Sequence, residues 1–475
     1  MKVLFAASEV NPFAKVGGLA DVVGSLPKAL KKERVTTRII MPKYKIIKPE
    51  LLDSAVYLGY TYVQMGWRRQ YAGLFSVVYN GVTVYLVDNE YYFGGDKVYG
   101  YPEGEAEKFS FFSLAVLELL PLMDFMPEII HCNDWQTGLI PVLLKTRYAH
   151  LNIKTVFTIH NLKFQGVFGI EMIKDLMSFD DSYFTSDTLE FYGGASFMKG
   201  GLLYSDKITT VSRTYARETQ TEFFGERMDG ILRWREKDYV GILNGLDYKE
   251  YNPATDKLIA AKYTAEDLSG KEKCRRALEE ELGWQHSCSP IIAMVGRLYD
   301  QKGLALVERM LHELLLNDDF RLVVLGTGDN RYESLFQNAQ ECYNDRVRAL
   351  IGFDPALSHR VYAGADLFLM PSLFEPCGLS QLIAMRYGTL PIVRETGGLA
   401  DTVVPYNRYD GTGVGFSFEA FNAHDMAYTI RYALSCIRDD EVRKGLIKNA
   451  MTADFSWDKS AKEYKQLYKQ LLGRK

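Results

Sequence analysis

Short, unbroken apolar runs recur along this chain, parted by longer stretches in which apolar residues return every three or four positions. The stretches 2–7, TRIIMP (37–42), VTVYLVD (82–88), EIIHCND (128–134), KTVFTIH (154–160) and KITTVS (207–212) read as buried strands. Helix-period segments lie between several of them, one from about Ala20 and another, WQTGLIPVLLKTRY, at 135–148. Strands that do not alternate polar and apolar positions, separated by helices, predict a mostly parallel sheet covered on both faces. The pattern restarts near residue 290 with the strand PIIAMVG (290–296) and a helix from Gly303 to about Leu316. RLVVLGTG (321–328), RVRALIG (346–352), DLFLMP (366–371) and LPIVRE (390–395) follow as strands. The expected fold class is therefore α/β, in two halves that each carry a doubly wound sheet.

The boundary between the halves is expected near Asn244-Gly245, giving an N-terminal domain over 1–243 and a C-terminal domain over 244–455. Residues 251–289 connect them through YNPATD and a charged helical stretch, KEKCRRALEEELG. The tail, 456–475, repeats at helix spacing with Tyr464, Leu467, Tyr468, Leu471 and Leu472 on one side. Such a face must dock or fray, and it is expected to cross back to the N-terminal domain.

Composition narrows the classes of function. At 475 residues, 47% apolar and 24% charged, the chain has material for large cores, which excludes a wholly disordered protein. Lys plus Arg number 56 against 60 Asp plus Glu, so the net charge of −4 gives no global attraction to nucleic acid or to an anionic membrane. Neither is expected as a partner. Residues 109–126 are the most apolar stretch, but Glu118, Pro121 and Asp124 make them poor material for a membrane span and better material for a buried helix. Met1-Lys2 leads at once into a strand, with no secretory leader ahead of it. The six cysteines (132, 274, 288, 342, 377, 436) form no CxxC pair and read as reduced thiols, so a cytoplasmic protein is expected. The histidines show no metal spacing, and no metal or other cofactor is expected.

Candidate chemistry gathers where strands end. The sequence GGLAD occurs at 17–21 and again at 397–401, each time after a strand and before a helical run. Two glycine-rich turns at the carboxyl edges of two sheets would face each other across a cleft, since ligands bind at that edge of open α/β sheets. In Lys15-Val16-Gly17-Gly18, the glycines let backbone N–H groups approach a ligand, the helix start favours an anion, and Lys15 adds a mobile cation. The spacing is neither GxGxxG nor GxxxxGK[ST], so a dinucleotide or P-loop fingerprint is unsupported. In Gly296-Arg297-Leu298-Tyr299-Asp300-Gln301-Lys302-Gly303, Arg297 offers a planar fork and Lys302 a point charge, enough to hold a diphosphate without metal. Glu375 precedes Cys377-Gly378-Leu379 and a helix start, where a carboxylate can accept from sugar hydroxyls while the helix end faces phosphate. Cys377 reads as a packed residue. His160, followed by Asn161, ends a strand and can point a donor outward, and Asp134-Trp135-Gln136 follows another strand in the same way. Each of these also has an ordinary structural reading.

Taken together, KVGGLADV (15–22), HCNDWQTG (131–138), TIHNL (158–162), ILNGLD (242–247), GRLYDQKG (296–303), PSLFEPCGLSQL (371–382) and TGGLADTV (396–403) resemble the bacterial glycogen synthases and plant starch synthases, essentially from end to end. The resemblance implies the GT-B architecture, two Rossmann-like domains facing across a cleft. It implies transfer of glucose from ADP-glucose to the nonreducing end of an α-1,4-glucan with retention of configuration. It maps the donor-site lysine onto Lys15, the glycine pair onto Gly17 and Gly18, and the sugar-contacting histidine onto His160 with Asn161 beside it. The diphosphate pair falls on Arg297 and Lys302, and the motif glutamate on Glu375 with Gly378 and Leu379 near the donor. Two positions depart from wider patterns: Val16 stands where a threonine is usual, and Ile383 where related GT-B enzymes carry a second glutamate, so a two-glutamate mechanism is unsupported. The rivals are a glycoside hydrolase, which needs two carboxylates flanking the bond, and a nonenzymatic protein that binds glucan or nucleotide sugar on the same fold. Oligomeric state is not legible in the sequence.

Overall fold

The structure is a computed structural model. It describes residues 1–352 and 354–474, without the side chains of Pro102 and Glu103. Phe353 and Lys475, which fall in the expected second domain and in the tail, lie outside the described residues. The chain divides into two compact units, Met1–Gly245 with Trp457–Lys475, and Leu246–Ser456.

The first unit is built on a nine-stranded sheet, in the order Tyr239–Gly241, Lys207–Thr210, Lys154–Ile159, Ile129–Asn133, Lys2–Ala6, Thr36–Pro42, Val82–Asp88, Arg68–Tyr79, Val56–Met65. The run from Tyr239–Gly241 to Val82–Asp88 is parallel throughout. Its central strands are buried on both faces, every residue of Ile129–Asn133 included, and that is why they show no in-out alternation. The helix Gly18–Lys32 covers one face with Leu19, Val22, Val23, Leu26, Ala29 and Leu30, the three-and-four spacing that marks it in the sequence. The helix Trp457–Leu471 packs along it and sinks Trp457, Ala461, Tyr464 and Tyr468 into the same core.

The remaining two strands, Val56–Met65 and Arg68–Tyr79, form an antiparallel hairpin joined to Val82–Asp88, an addition the apolar-run pattern did not predict. Its outer face carries exposed Tyr57, Tyr60 and Tyr62, so no unbroken apolar run marks it. The signal it does carry is in the turns. Asn80 and Gly81 both take positive φ (48° and 76°), the conformation a two-residue hairpin turn demands. Two expected helices also come out shorter. The stretch 135–148 divides into a 3-10 turn, Trp135–Thr137, and the helix Leu139–Lys145. Of the stretch 109–126, residues 109–118 belong to the helix Pro102–Glu118, and the chain then breaks at Pro121 into the turn Leu120–Leu122.

The second unit carries a six-stranded parallel sheet in the order Val347–Ile351, Arg321–Gly326, Ile291–Val295, Leu367–Met370, Leu390–Arg394, Phe416–Phe418. Counted from its first strand this is 3-2-1-4-5-6, the doubly wound order of Rossmann folds. Its core is separate, with Ile291, Val323, Leu367, Phe368 and Ile392 at the centre. The chain enters and leaves this unit side by side, Leu246 N–H donating to the Phe455 carbonyl at 2.7 Å. None of the six cysteines is in a disulfide, and Cys132, Cys274 and Cys377 are buried. Among the described residues no helix is long and apolar enough to cross a membrane.

Candidate functional site

Within each unit, the residues singled out from the sequence lie on loops leaving the carboxyl ends of adjacent strands, where the strand order reverses. In the first unit, Lys2–Ala6 sits between Thr36–Pro42 and Ile129–Asn133, and Lys154–Ile159 is next in line. The loop after Lys2–Ala6 carries Lys15, Gly17 and Gly18; Asp134 follows Ile129–Asn133, and His160 and Asn161 follow Lys154–Ile159.

The Lys15 loop is organised by a residue that no sequence motif marks. Glu9, 4% exposed, accepts from the backbone N–H of Val16 at 2.5 Å and of Gly17 at 2.9 Å. Its other oxygen accepts from the Tyr99 hydroxyl, which also bonds Ser8 at 2.9 Å. Two of the amides expected to meet an outside anion are thus already held by an internal carboxylate, and the first amides of the helix, from Gly18 onward, remain for a ligand. A Cβ at Gly17 would meet nothing within 4 Å, so the glycine keeps open space beside the backbone. Lys15 is ion-paired with Asp21 at 2.7 Å, and burial raises the Asp21 carboxyl in spite of that pairing.

Asp134 stands at φ 55°, ψ 178°, a conformation a non-glycine residue adopts only when its surroundings impose it. One cause is visible: its carboxylate accepts from the backbone N–H of His160 at 2.7 Å and from that of Asn161. Burial pushes its pKa up to about 7, outweighing those hydrogen bonds. Burial likewise holds the His160 imidazole at about 3, so it is neutral near pH 7. The His160 Nε2 lies 3.0 Å from Asn133 Oδ1. That hydrogen bond turns back into the protein. The neighbouring motif residue His131 is fully engaged, its ring between the Tyr468 and Thr158 hydroxyls, and is structural.

In the second unit the reversal falls between Ile291–Val295 and Leu367–Met370. Gly296 (φ 151°) turns the chain out of the first strand and leaves Arg297 exposed, its guanidinium 5.8 Å from the Tyr299 ring. Among the described residues Arg297 has no ion-pair partner. Lys302 ends a 3-10 turn, and Gly303 (φ 69°) must be glycine, since a Cβ there would lie 1.8 Å from the Pro371 carbonyl oxygen. That approach locks the Lys302 turn against the loop carrying Glu375. The Lys302 ammonium meets Glu375 Oε2 at 2.7 Å, and the Ser372 hydroxyl donates to the same oxygen at 3.0 Å. The sequence motifs assign Lys302 to phosphate and Glu375 to sugar; in the folded chain the two hold one another, which leaves the ammonium two further N–H groups and the carboxylate its second oxygen. Gly378 (φ 71°) and Leu379 lead into the helix Ser380–Arg386, with Gln381 donating back to the carbonyls of Cys377 and Gly378 at 3.0 Å.

The second GGLAD is part of this construction. A Cβ on Gly397 would fall 1.9 Å from the Glu375 carbonyl oxygen, and one on Gly398 2.0 Å from that of Cys377; Gly398 N–H donates to the Glu375 carbonyl at 3.0 Å. The echo is therefore not one device used twice. Gly17 of the first pair leaves space, while the second pair closes on the backbone that carries Glu375. Glu9, Asn133 and Asp134 are the site-region residues that motifs alone miss or leave undecided; a polar residue at the end of a buried strand, or within three positions after it, at the order reversal is the signal that marks them. Among the described residues no group of three or more His, Cys, Asp or Glu is arranged to hold a metal.

Residues 2–234 match the family described as the starch synthase catalytic domain, and residues 283–452 match glycosyl transferases group 1. A glycogen synthase of Geobacillus thermodenitrificans is 52% identical over 479 residues, covering 99% of this chain and 98% of that protein. One of Lachnospira eligens is 50% identical over 477 residues, covering 99% of each. Among solved structures, the catalytic domain of starch synthase IV from Arabidopsis thaliana, bound to ADP and acarbose, has a TM-score of 0.93 at 33% identity, over 100% of this chain and 99% of that one. Sucrose-phosphate synthase from Thermosynechococcus elongatus, at 19% identity over 99% of each chain, shares the fold with a TM-score of 0.63.

Proposed function

This chain belongs to the glycogen and starch synthase family of glycosyltransferases, and from that premise we propose that its glucosyl donor is ADP-glucose. It has the GT-B fold and elongates glycogen by glucosyl transfer from a nucleotide sugar to a glucan. In our reading the acceptor is the nonreducing end of an α-1,4-glucan, and the configuration at the transferred carbon is retained.

One observation carries the mechanism furthest: Arg297, without an ion-pair partner among the described residues, and Lys302, with N–H groups to spare beyond Glu375, stand at the order reversal of the second unit's sheet. These cations, with Lys15 of the first unit, neutralise the charge that grows on the diphosphate as it leaves. Preorganised charge of this kind lowers a barrier by roughly 2.7–4 kcal/mol per partner. His160 and Asn161 orient the glucose, and Glu375, braced by Lys302 and Ser372, offers its second oxygen to a sugar hydroxyl. The amides after Gly17 and Gly18, and the turn at Gly378 and Leu379, give the donor close backbone contact. The departing phosphate is the base for the acceptor hydroxyl, which attacks on the face the phosphate leaves. A hydrolase needs two carboxylates flanking the bond, whereas these loops are rich in cations and glycines, and Glu375 is itself engaged by Lys302.

Incubation with ADP-glucose and a glucan tests the reading. ADP release matched by chain lengthening is expected, with UDP-glucose the poorer competitor. ADP release with free glucose and no lengthening would mean hydrolysis, and equal use of UDP-glucose would overturn the donor assignment. The mechanism calls on no metal or other cofactor. Turnover should continue in a strong chelator. A loss reversed by a divalent cation would show that a metal, rather than Arg297, Lys302 and Lys15, neutralises the leaving diphosphate.

A further inference from the structure

His160 is held at two points. Its backbone N–H, like that of Asn161, is tied to Asp134. Its Nε2 faces Asn133 Oδ1 at 3.0 Å, and its Nδ1 has no partner among the described residues. Asn133 is 1% exposed, and its amide orientation is assigned by its own contacts. Nδ2 donates to the carbonyl of Ala6 and to that of His131, both at 3.1 Å. Turning the amide over would set Oδ1 against two carbonyl oxygens and leave a buried N–H group facing the ring. An amide oxygen cannot donate, so the proton of this hydrogen bond must belong to the ring. A neutral imidazole has only one, and burial keeps this imidazole neutral.

We infer that Asn133 is a positioning residue that fixes the proton of His160 on Nε2, so that the bare Nδ1 accepts a hydrogen bond from a hydroxyl of the donor glucose. The inference rests on the reading above in one respect, that a sugar comes to His160. It also gives the site a polarity: at Nδ1 a hydroxyl is accepted, whereas an ether oxygen or a carboxylate in its place meets a lone pair.

The test is a long-range proton–nitrogen spectrum of the full chain labelled at histidine, with the His160 signals assigned by their loss in His160→Gln. A single tautomer with Nε2 protonated is expected in the free protein at neutral pH. ADP-glucose should shift the Nδ1 resonance and ADP alone should not. In Asn133→Leu the ring should become a mixture of tautomers, and kcat/KM should fall about tenfold. A protonated Nδ1 in the unmodified chain, or an unchanged tautomer in Asn133→Leu, overturns the inference. Should that variant fail to fold, the spectrum of the unmodified chain decides on its own. The two readings fail separately. Transfer with an Nδ1 signal indifferent to ADP-glucose refutes this inference and leaves the function standing. An Nδ1 shift with ADP-glucose in a chain that lengthens no glucan upholds the contact and refutes the function.

Discussion

Removing the Lys302 ammonium acts twice, because it touches Glu375 and is assigned to the leaving diphosphate. Arg297→Ala and Lys302→Ala should each lower kcat/KM by about 10²–10³. Only Lys302→Ala should also destabilise the second unit, by about 3 kcal/mol, since it strands a carboxylate that is 6% exposed. The double variant Lys302→Ala with Glu375→Ala should recover part of that stability and none of the activity. Denaturant unfolding beside steady-state kinetics separates the two effects, and near-normal turnover in either single variant would remove its catalytic role. Asp134 gives a second case, with a definite sign. Its folded pKa of about 7 lies above the unfolded value near 3.8, so it favours the folded state least once pH has risen through 7 and costs nothing below about pH 4. Asp134→Asn keeps an oxygen for the His160 and Asn161 amides and removes the charge. It should be more stable than the unmodified protein above neutral pH, on the order of 2–4 kcal/mol after allowance for partial exposure, with the gap closing toward pH 4. A pH-independent difference would show that the carboxyl is not held protonated.

The two GGLAD turns make opposite predictions from one sequence. Gly17→Ala puts a methyl into open space at extended φ (−142°), so stability should fall by about 1 kcal/mol or less, the difference between alanine and glycine at a helix N-cap, while donor binding weakens. Gly397→Ala drives a methyl onto the Glu375 carbonyl oxygen at positive φ (45°) and should cost more than about 2 kcal/mol, with activity lost through displacement of Glu375. Thermal unfolding and donor KM measured on both variants would check this, and equal destabilisation would erase the distinction. The contrast also shows what the sequence could and could not say. Runs such as EIIHCND and PIIAMVG betrayed their strands because double burial favours apolar side chains, His131 and Asn133 being buried only with hydrogen-bond partners, whereas the tyrosine-faced hairpin is marked by the Asn80-Gly81 turn that joins it to Val82–Asp88. Arg297 and His160 could be placed at strand ends from the same runs. That Lys302 meets Glu375, and that Glu9 claims the Val16 and Gly17 amides, depends on contacts between residues 73 and 7–8 positions apart, across turns that local pattern does not encode.

At the scale of the whole molecule, the last stretch of chain belongs to the first unit although the second unit precedes it. Trp457 is 6% exposed, and Tyr464 and Tyr468 are fully buried among first-unit residues. The Tyr468 hydroxyl bonds His131 at 2.6 Å, and His131 lies in the strand that ends at Asn133. Lys465 pairs with Glu33 at 3.1 Å and Lys32 with Asp458 at 2.9 Å, holding the end of the helix Gly18–Lys32 that begins at the glycine turn. Ending the chain after Ser456 should therefore uncover an apolar face in the first unit only. Loss of Trp457 alone would cost about 3–5 kcal/mol, as emptied aromatic sites usually do, and loss of the entire helix should unfold that unit under native conditions. The second unit keeps its core and the Leu246–Phe455 closure, both made within itself. Hydrogen exchange followed by peptide mass spectrometry would resolve the two: protection should vanish over 1–245 and persist over 291–451. Uniform loss would mean that the units do not fold as separate bodies. Undiminished protection over 1–245 would mean that the tail helix is an ornament on a core already complete without it.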